Sequence, residues 1–233
     1  MDVRVRRIER RLNETYGRAV KPTLDPLDEL ILTILSQSTT DTNRDRAWAN
    51  LKGDFADWET VQMASPQRLE ASIRVAGLAR QKTAAIRGVL SRLSREVGRP
   101  SLSHLSTMED REALSYLSSF DGVGVKTAAC VLCFSLGRAV LPVDTHVLRV
   151  SRRLGLVPAR ATAAAAHREL NLQVPPELRF SLHVHLIHHG RATCRARRPK
   201  CGRCELVDLC PKVGLGNGES GVAVPTGGSD RPA

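Results

Sequence analysis

The sequence predicts an all-α protein, and three observations support this fold class. Apolar residues recur at the three- and four-residue spacing of a helix face, as Ile8, Leu12 and Tyr16 do near the N-terminus. No five-residue run alternates apolar and polar side chains between turn signals, the pattern of a half-buried strand. Signals for helix ends are frequent: Pro26, Ser65-Pro66 and Pro175-Pro176 open periodic stretches, and Gly77, Gly98 and Gly155 close others.

The predicted helices follow one another along most of the chain. Helical periodicity marks the stretches 8–16, 27–34, 48–55 and 86–93. Two further helices begin near Val125 and after Asp144. From Val213 onward Gly, Pro, Ser and Asp prevail without a core-forming pattern, so residues 212–233 are predicted to form a disordered tail.

The chain is strongly basic, with 35 Lys and Arg against 24 Asp and Glu, a formal net charge of +11 over 233 residues. This surplus favours a polyanionic partner such as nucleic acid, with a merely solubilising surface charge as the alternative. Aromatic residues make up only 3%, which favours a duplex held by its phosphates over stacked single-stranded bases. The charged N-terminus and the lack of a long apolar run predict a soluble, cytoplasmic protein without membrane contact.

Four cysteines form the run Cys194-x6-Cys201-x2-Cys204-x5-Cys210, within seventeen residues. In a reducing compartment such cysteines are ligands rather than disulfides. Four thiolates suit a 4Fe-4S cluster, whose ligands come in closely spaced runs with C-x2-C steps. Zinc also accepts four thiolates, but its sites usually present two such steps. Spacing alone leaves iron-sulfur and zinc open, with a disulfide pair as the third possibility.

A second C-x2-C step, Cys130 and Cys133, lies in an apolar helical run and is interpreted as core. The histidines of the stretch 183–189 invite a metal site. We interpret them as helix-face or interface residues, because no carboxylate partner is apparent near them.

Two glycines flank one aliphatic residue in the segment from Asp121 to Lys126. Gly122 and Gly124 predict a tight turn whose amides, with the N-terminus of the next helix, offer a site for one phosphate; a plain helix-helix turn is the alternative. Lys126 lies in the first turn of that helix, where the positive end of the dipole favours the neutral, nucleophilic amine. For a lysine considered alone, a solvated charge is the commoner explanation.

Asp144 precedes an apolar-periodic helix and is predicted to be its N-cap. Capping alone would explain an aspartate at this position. A catalytic role is compatible with it, because the amides that fix a capping carboxylate also keep it ionised.

Several motifs resemble the endonuclease III-type DNA glycosylases of the helix-hairpin-helix superfamily. Three are the G-V-G-x-K-T-A hairpin of 122–128, the V-D-T-H segment of 143–146, and the H-G-R-x-T-C run that leads into the cysteines. Two weaker ones are the Leu35-Ser36-Gln37 and Thr40-Asp41 pair and Gly77-Leu78 followed by Lys82. In order and spacing they extend over residues 20–211.

The resemblance implies two helical lobes with a DNA cleft between them. One would be a six-helix barrel with the helix-hairpin-helix, residues 20–137, and the other a helical iron-sulfur lobe, residues 1–19 and 138–211. The resemblance also implies that the metal is a 4Fe-4S cluster, with Cys194, Cys201, Cys204 and Cys210 as its ligands.

The activity implied is that of a bifunctional DNA glycosylase and AP lyase of base excision repair, which removes oxidised pyrimidines and nicks the strand by β-elimination. Lys126 would form the Schiff base, and Asp144 would be its acidic partner. The alternatives are a binding-only or weakly active paralogue, a mismatch or uracil glycosylase and, least favoured, an iron-sulfur electron-transfer protein. The implied protein is a nucleoid-associated monomer that binds duplex DNA with damaged bases or abasic sites.

The resemblance also implies which residues contact DNA. Gln37 and Leu78 match positions that fill or wedge the duplex when a nucleotide swings out. Basic side chains around the cysteines are expected to bind phosphates, although they would also shield an anionic cluster. The full set is Gln37, Leu78, Lys82, Gly122, Gly124, Arg191, Arg195, Arg197 and Arg198.

Asp121 departs from the family, which usually has proline at this position. Its carboxylate would lie against the expected phosphate. It could also accept the backbone N–H groups of the turn itself.

Overall fold

The computed structural model describes residues 2–22 and 24–215. Within these ranges the chain forms eleven α-helices and no strand, which confirms the predicted fold class. The helices are α1 Asp2–Tyr16, α2 Pro26–Leu35, α3 Asp41–Asp54, α4 Trp58–Met63, α5 Pro66–Ile73, α6 Ala79–Val97, α7 Asp110–Ser118, α8 Val125–Phe134, α9 Thr145–Arg153, α10 Ala163–Gln173 and α11 Arg179–Ala192. Short 3-10 turns lie at Arg74–Ala76, Ser103–Thr107, Pro176–Leu178 and Cys201–Arg203.

Side-chain caps explain where several helices begin. The Asp25 carboxylate accepts a hydrogen bond from the Leu27 N–H at the start of α2, and the Ser65 hydroxyl accepts one from Arg68 N–H at the start of α5. Each is followed by proline at the first helical position, as predicted from the sequence. Pro175-Pro176 instead begins a 3-10 turn, and α11 starts at Arg179.

The chain divides into two compact units, Val20–Pro142 and Met1–Ala19 with Val143–Ala233. Val20–Pro142 contains seven helices, of which all but the six-residue α4 have eight residues or more. Its apolar core lies around α2 and α8, which pack on each other. α8 is buried from Thr127 to Cys133, whereas Val125 and Lys126 in its first turn are exposed or partly exposed.

Cys130 and Cys133 are part of that buried face, as predicted. Burial raises the pKa of the Cys133 thiol to about 12, with a further contribution from Cys130. Both side chains therefore behave as small apolar residues.

In the other unit α11 packs against α1 and against α9, and the cysteine run follows directly after α11. The run ends in an ordered segment, where Val213 N–H donates to Arg153 O at 3.1 Å. Residues 216–233 of the predicted tail lie outside the described residues. Among the helices that are described, none combines the length and the apolar character needed to cross a membrane.

Candidate functional site

The predicted hairpin joins α7 to α8. Val123 is buried and its N–H donates to Phe120 O at 3.0 Å, which closes the turn. Gly122 has a φ of +80°, and a Cβ built there would lie 2.9 Å from Ala85 Cβ of α6. Glycine is therefore required at 122 both by the backbone conformation and by the close approach of α6.

Gly124 is different, because its φ of −89° suits other residues and a Cβ there would meet nothing within 4 Å. A glycine at this position leaves open space at the N-terminus of α8. That space suits an anion bound to the first amides of the helix.

Asp121 is exposed on the turn. Among the described residues, no backbone N–H donates to its carboxylate, so the Asx-turn that the sequence allowed does not form. The carboxylate is left facing solvent beside the amides that would hold a phosphate.

Lys126 is half-buried in the first turn of α8, as predicted. It lies within electrostatic range of Glu29, a carboxyl of α2 that is only 5% exposed. Burial raises the pKa of Glu29 to about 7, against the opposing effects of the Thr33 hydroxyl, which donates to it at 3.0 Å, and of the Lys126 and Arg44 charges. Sequence reasoning missed Glu29, although a charged residue inside the apolar stretch 27–35 was a signal for it.

Asp144 caps α9, as predicted: its Oδ1 accepts a hydrogen bond from Val147 N–H at 2.7 Å. The bond fixes the position of the carboxylate at a helix N-terminus. Asp144 belongs to the unit with α9 and α11, whereas Lys126 belongs to Val20–Pro142.

Gly190 of the H-G-R motif allows α11 to approach α9. A Cβ at Gly190 would lie 3.1 Å from His146 Cβ and 3.1 Å from a guanidinium nitrogen of Arg149. The same Arg149 donates to Gly190 O at 2.9 Å and to Cys194 O at 3.1 Å. The helix that Asp144 caps is thereby tied to the start of the cysteine run.

Gln37 and Leu78 lie on two separate turns of the unit Val20–Pro142. Gln37 is half-buried after the end of α2, and its Nε2 donates to Gly122 O at 3.1 Å. Leu78 is 52% exposed with a φ of +49°, a left-handed conformation that is strained for leucine. An exposed apolar side chain held in a strained turn is unusual unless it contacts a partner.

The structure corrects the prediction that Lys82 contacts DNA. Its side chain is buried, 2% exposed, and Nζ donates to Leu35 O at 2.7 Å and to Ala76 O at 2.9 Å. Burial lowers the pKa of this ammonium group. Its hydrogen bonds are made inside the protein, so Lys82 is not a phosphate ligand.

Cys194, Cys201, Cys204 and Cys210 line one small cavity, and all four are free thiols. Burial raises the pKa of the Cys204 thiol to about 11, so a thiolate here requires a cation such as iron to stabilise it. Donors already point at the sulfur atoms. Leu206 N–H lies 3.4 Å from Cys204 Sγ, and an Arg153 guanidinium nitrogen lies 3.4 Å from Cys194 Sγ. Four thiols in one cavity with donors to sulfur fit an anionic iron-sulfur cluster.

A further histidine reaches the same cavity. His189 Nε2 lies 3.6 Å from Cys204 Sγ, and Nδ1 lies 3.1 Å from the Tyr16 hydroxyl. His189, Cys204 and Glu205 could each offer one metal ligand within 4.8 Å of one another. Because this trio shares Cys204 with the four-cysteine set, it is not a separate site.

The basic residues around the cysteine run point in two directions. Arg149 and Arg153 of α9 point inward, and Arg153 also donates to Arg195 O at 2.6 Å and to Ala196 O at 3.0 Å. Sequence reasoning missed both. The predicted phosphate ligands, by contrast, have exposed side chains: Arg191, Arg195, Arg197 and Arg198.

The interpretation of the α11 histidines was wrong about their partners, because one of them pairs with a carboxylate. His183 and His185 are buried, and His185 Nδ1 contacts the buried Glu9 carboxylate of α1 at 3.0 and 3.1 Å. Its Nε2 contacts Gly17 O at 2.9 Å. Since both neighbours are acceptors only, both ring nitrogens donate and His185 is an imidazolium.

Comparisons with known proteins agree with this arrangement. Residues 31–176 match the HhH-GPD superfamily of base excision DNA repair proteins, and residues 194–210 match the iron-sulfur binding domain of endonuclease III. The chain is 40% identical to a candidate DNA glycosylase of Arabidopsis thaliana over 88% of this chain and 69% of that protein. It is 33% identical to endonuclease III of Synechocystis sp. over 81% of this chain and 82% of the relative.

A solved structure of a trapped endonuclease III-DNA covalent intermediate matches with a TM-score of 0.79 and 26% identity, over 91% of this chain and 96% of that chain. The superfamily match alone spans more than half of the sequence, and the second match covers the four cysteines. The chain therefore belongs to the HhH-GPD superfamily of base excision DNA repair proteins, as an endonuclease III-like DNA glycosylase with a 4Fe-4S cluster domain.

Proposed function

We propose that this protein is a bifunctional DNA glycosylase and AP lyase that removes oxidised pyrimidines from duplex DNA and nicks the strand by β-elimination. The observation that carries the proposal is Lys126, a partly exposed amine in the first turn of α8, directly after the glycine hairpin. Binding of a phosphate at the hairpin would bring a deoxyribose next to this amine.

In the proposed reaction the ammonium group of Lys126 first loses a proton, and the Nζ lone pair then attacks C1′ of an extruded nucleotide. The bond from C1′ to the base breaks, and the base leaves with the bonding electrons and takes up a proton. The nitrogen then loses a proton, its lone pair breaks the C1′–O4′ bond as O4′ takes up a proton, and a protonated Schiff base forms. The Asp144 carboxylate, held in position by the Val147 N–H, is suited to offset the positive charge that develops on the sugar.

The Schiff base cation makes the C2′ proton acidic. Removal of that proton expels the 3′ phosphate, which nicks the strand, and water then hydrolyses the imine and frees Lys126. Glu29, with a pKa of about 7, lies within electrostatic range of the amine and can hold either charge state at neutral pH.

Duplex binding is proposed to use the hairpin amides, Gln37 and Leu78, and the exposed arginines that flank the cysteines. Cys194, Cys201, Cys204 and Cys210 would hold the 4Fe-4S cluster, which would close their loop rigidly. Arg149 and Arg153 orient that loop from its inner side. The similarity to a trapped covalent endonuclease III-DNA intermediate supports the same chemistry.

The decisive experiment is borohydride trapping on duplexes that carry an abasic site, thymine glycol, dihydrouracil, uracil or a mismatched adenine. We expect a covalent adduct with the abasic and oxidised-pyrimidine duplexes. Lys126→Gln is expected to abolish the adduct and retain duplex binding, since one charge among many is lost. Lys52→Gln, at an exposed lysine of α3, is the matched control and should trap like the wild type.

An adduct that persists in Lys126→Gln would show that another residue is the nucleophile. Trapping only with uracil or mismatched adenine would show that these bases, and not oxidised pyrimidines, are the substrates. Duplex binding without any adduct or base release would favour a binding-only paralogue.

A further inference from the structure

Lys82 buries a cation in the unit Val20–Pro142 without a carboxylate hydrogen-bonded to it. Its Nζ is satisfied by two backbone carbonyls, Leu35 O at 2.7 Å and Ala76 O at 2.9 Å. An apolar side chain of the same length would fill the space without desolvating a charge. The ammonium group therefore has a role that packing alone would not provide, namely its hydrogen bonds to these two carbonyls.

The two carbonyls belong to the last residues of two different elements. Leu35 is the last residue of α2, and Ala76 is the last residue of the 3-10 turn after α5. Carbonyls at a helix end lack partners in the helix and are usually satisfied by water or by a cap. Here one buried ammonium satisfies both, so the two ends are held a fixed distance apart.

The residues that follow these carbonyls are those proposed to enter the duplex. Gln37 comes two residues after Leu35, and Leu78 comes two residues after Ala76. Both turns have left-handed backbone, at Ser38 with φ +50° and at Leu78 with φ +49°. Such turns keep their shape only when their surroundings fix them.

The hairpin joins the same arrangement. Gln37 Nε2 donates to Gly122 O, and Gly122 packs against Ala85, which lies three residues after Lys82 in α6. The N-terminal half of α6 thus connects the Gln37 turn, the Leu78 turn and the hairpin.

We propose that Lys82 is a positioning residue that holds the Gln37 and Leu78 turns at a fixed distance from each other, so that the two side chains enter the duplex together when a nucleotide is extruded. This inference rests on the proposed glycosylase function. Extrusion of a paired base requires that the gap in the stack be filled as it opens. An abasic nucleotide has no base to unpair, so its capture depends less on the two turns acting together.

The test compares the wild type with Lys82→Met, which keeps the length of the side chain and removes the ammonium group. The single-turnover rate of thymine glycol release is expected to fall by about tenfold or more. The rate of borohydride trapping on a pre-formed abasic site is expected to stay within about threefold of the wild-type rate. A 2-aminopurine placed opposite the lesion should show a smaller fluorescence increase on binding. Affinity for undamaged duplex should not change, because Lys82 makes no phosphate contact.

Lys52→Met, at an exposed lysine of α3, is the matched control and is expected to match the wild type in base release and in trapping. Iron content and thermal stability are measured for each variant. If Lys82→Met does not fold, Lys82→Arg replaces it: the guanidinium keeps donors for both carbonyls, and the ratio of release to trapping should lie near the wild-type value.

A parallel loss of base release and abasic trapping in a folded Lys82 variant would overturn the inference, since it would indicate a general structural role. Unchanged base release in Lys82→Met would also overturn it. Failure of the proposed function is a different result, because the wild type itself would then neither release a base nor trap on the abasic site.

Discussion

At the scale of single residues, burial decides what Glu29 and Lys82 can do. Both are charged types on helices, and in an exposed position each would be an unremarkable surface charge. Inside the unit Val20–Pro142 burial raises the pKa of the Glu29 carboxyl, and the Lys82 ammonium donates to the carbonyls at the ends of α2 and of the 3-10 turn after α5. The cost of removing a charge from water makes such positions informative.

Glu29 should make the stability of the protein depend on pH. Its pKa is raised from 4.5 to about 7 in the folded state, so the fold favours the protonated form. Its contribution to the free energy of unfolding is fully present below pH 4.5 and is lost as the pH rises through 7. The loss amounts to on the order of 3 kcal/mol, since each unit of pKa corresponds to about 1.36 kcal/mol.

Glu29→Gln keeps a partner for Thr33 and cannot ionise, so it should remove this loss. We expect the variant and the wild type to be similarly stable near pH 4.5 and the variant to be more stable at pH 8, as measured by urea unfolding. Glu59→Gln, at an exposed position of α4, serves as the control and should follow the wild-type profile. Parallel profiles for Glu29→Gln and the wild type would contradict the burial effect.

At the scale of elements, a buried ion pair and close helix contacts hold the second unit together. Glu9 of α1 and His185 of α11 are 6% and 1% exposed, and they join the N-terminal helix to the helix that precedes the cysteines. Gly190 lets α9 and α11 approach closely. These contacts position the Asp144 cap and the cysteine run relative to each other within one unit.

Glu9→Gln should destabilise the protein by about 3 to 5 kcal/mol near pH 6, because it leaves the buried imidazolium without its carboxylate. Burial lowers the pKa of His185, but the Glu9 hydrogen bond and charge, with the Gly17 carbonyl, outweigh it and raise the pKa overall. The stabilisation is therefore present below pH 6.5 and lost as the pH rises through the folded-state pKa.

Chemical unfolding at pH 6 and at higher pH measures both the loss and its pH dependence. The double variant Glu9→Leu with His185→Leu is the control and should be nearer to the wild type than Glu9→Gln, since no charge is left unpaired. Equal losses in the single and the double variant would assign the effect to packing instead.

At the scale of the whole molecule, the net charge of +11 is the property most relevant to DNA. Long-range attraction to a duplex depends on the total charge, whereas specific phosphate contacts depend on where the charges lie. The exposed arginines beside the cysteines can make phosphate contacts as well as add to the total charge. Arg149 and Arg153 face inward, so they contribute to the total charge alone.

Neutralising Arg195, Arg197 and Arg198 together should lower the affinity for damaged and undamaged duplex alike. The slope of log affinity against log salt should become shallower by about 0.9 for each phosphate contact that is lost. A triple variant at Arg7, Arg10 and Arg160, also exposed, carries the same change in net charge and should leave the slope nearer to the wild type. Equal slopes in the two triple variants would mean that the loop acts through total charge alone.

The sequence by itself determined what depends on local spacing. The helical class follows from apolar periodicity, and the starts of α2, α5 and α9 follow from the residues at their N-termini. The four cysteines could be recognised as one ligand set because they lie within one short segment. The hairpin glycines with Lys126, and the V-D-T-H segment, carried the resemblance to the family because each motif occupies only a few consecutive residues. Periodicity also placed Cys130 and Cys133 in the core.

Only the tertiary structure decided which charged side chains are buried and against what. Lys82 was expected at the DNA, yet it is buried between α2 and the turn after α5; Glu29 faces the charge of Lys126, and Glu9 pairs with His185 across 176 positions of sequence. A local pattern specifies which face of a helix is apolar, but not which residue of a distant helix packs on it. Because desolvation and pairing energies arise from those distant contacts, the roles of these charges follow from packing rather than from spacing.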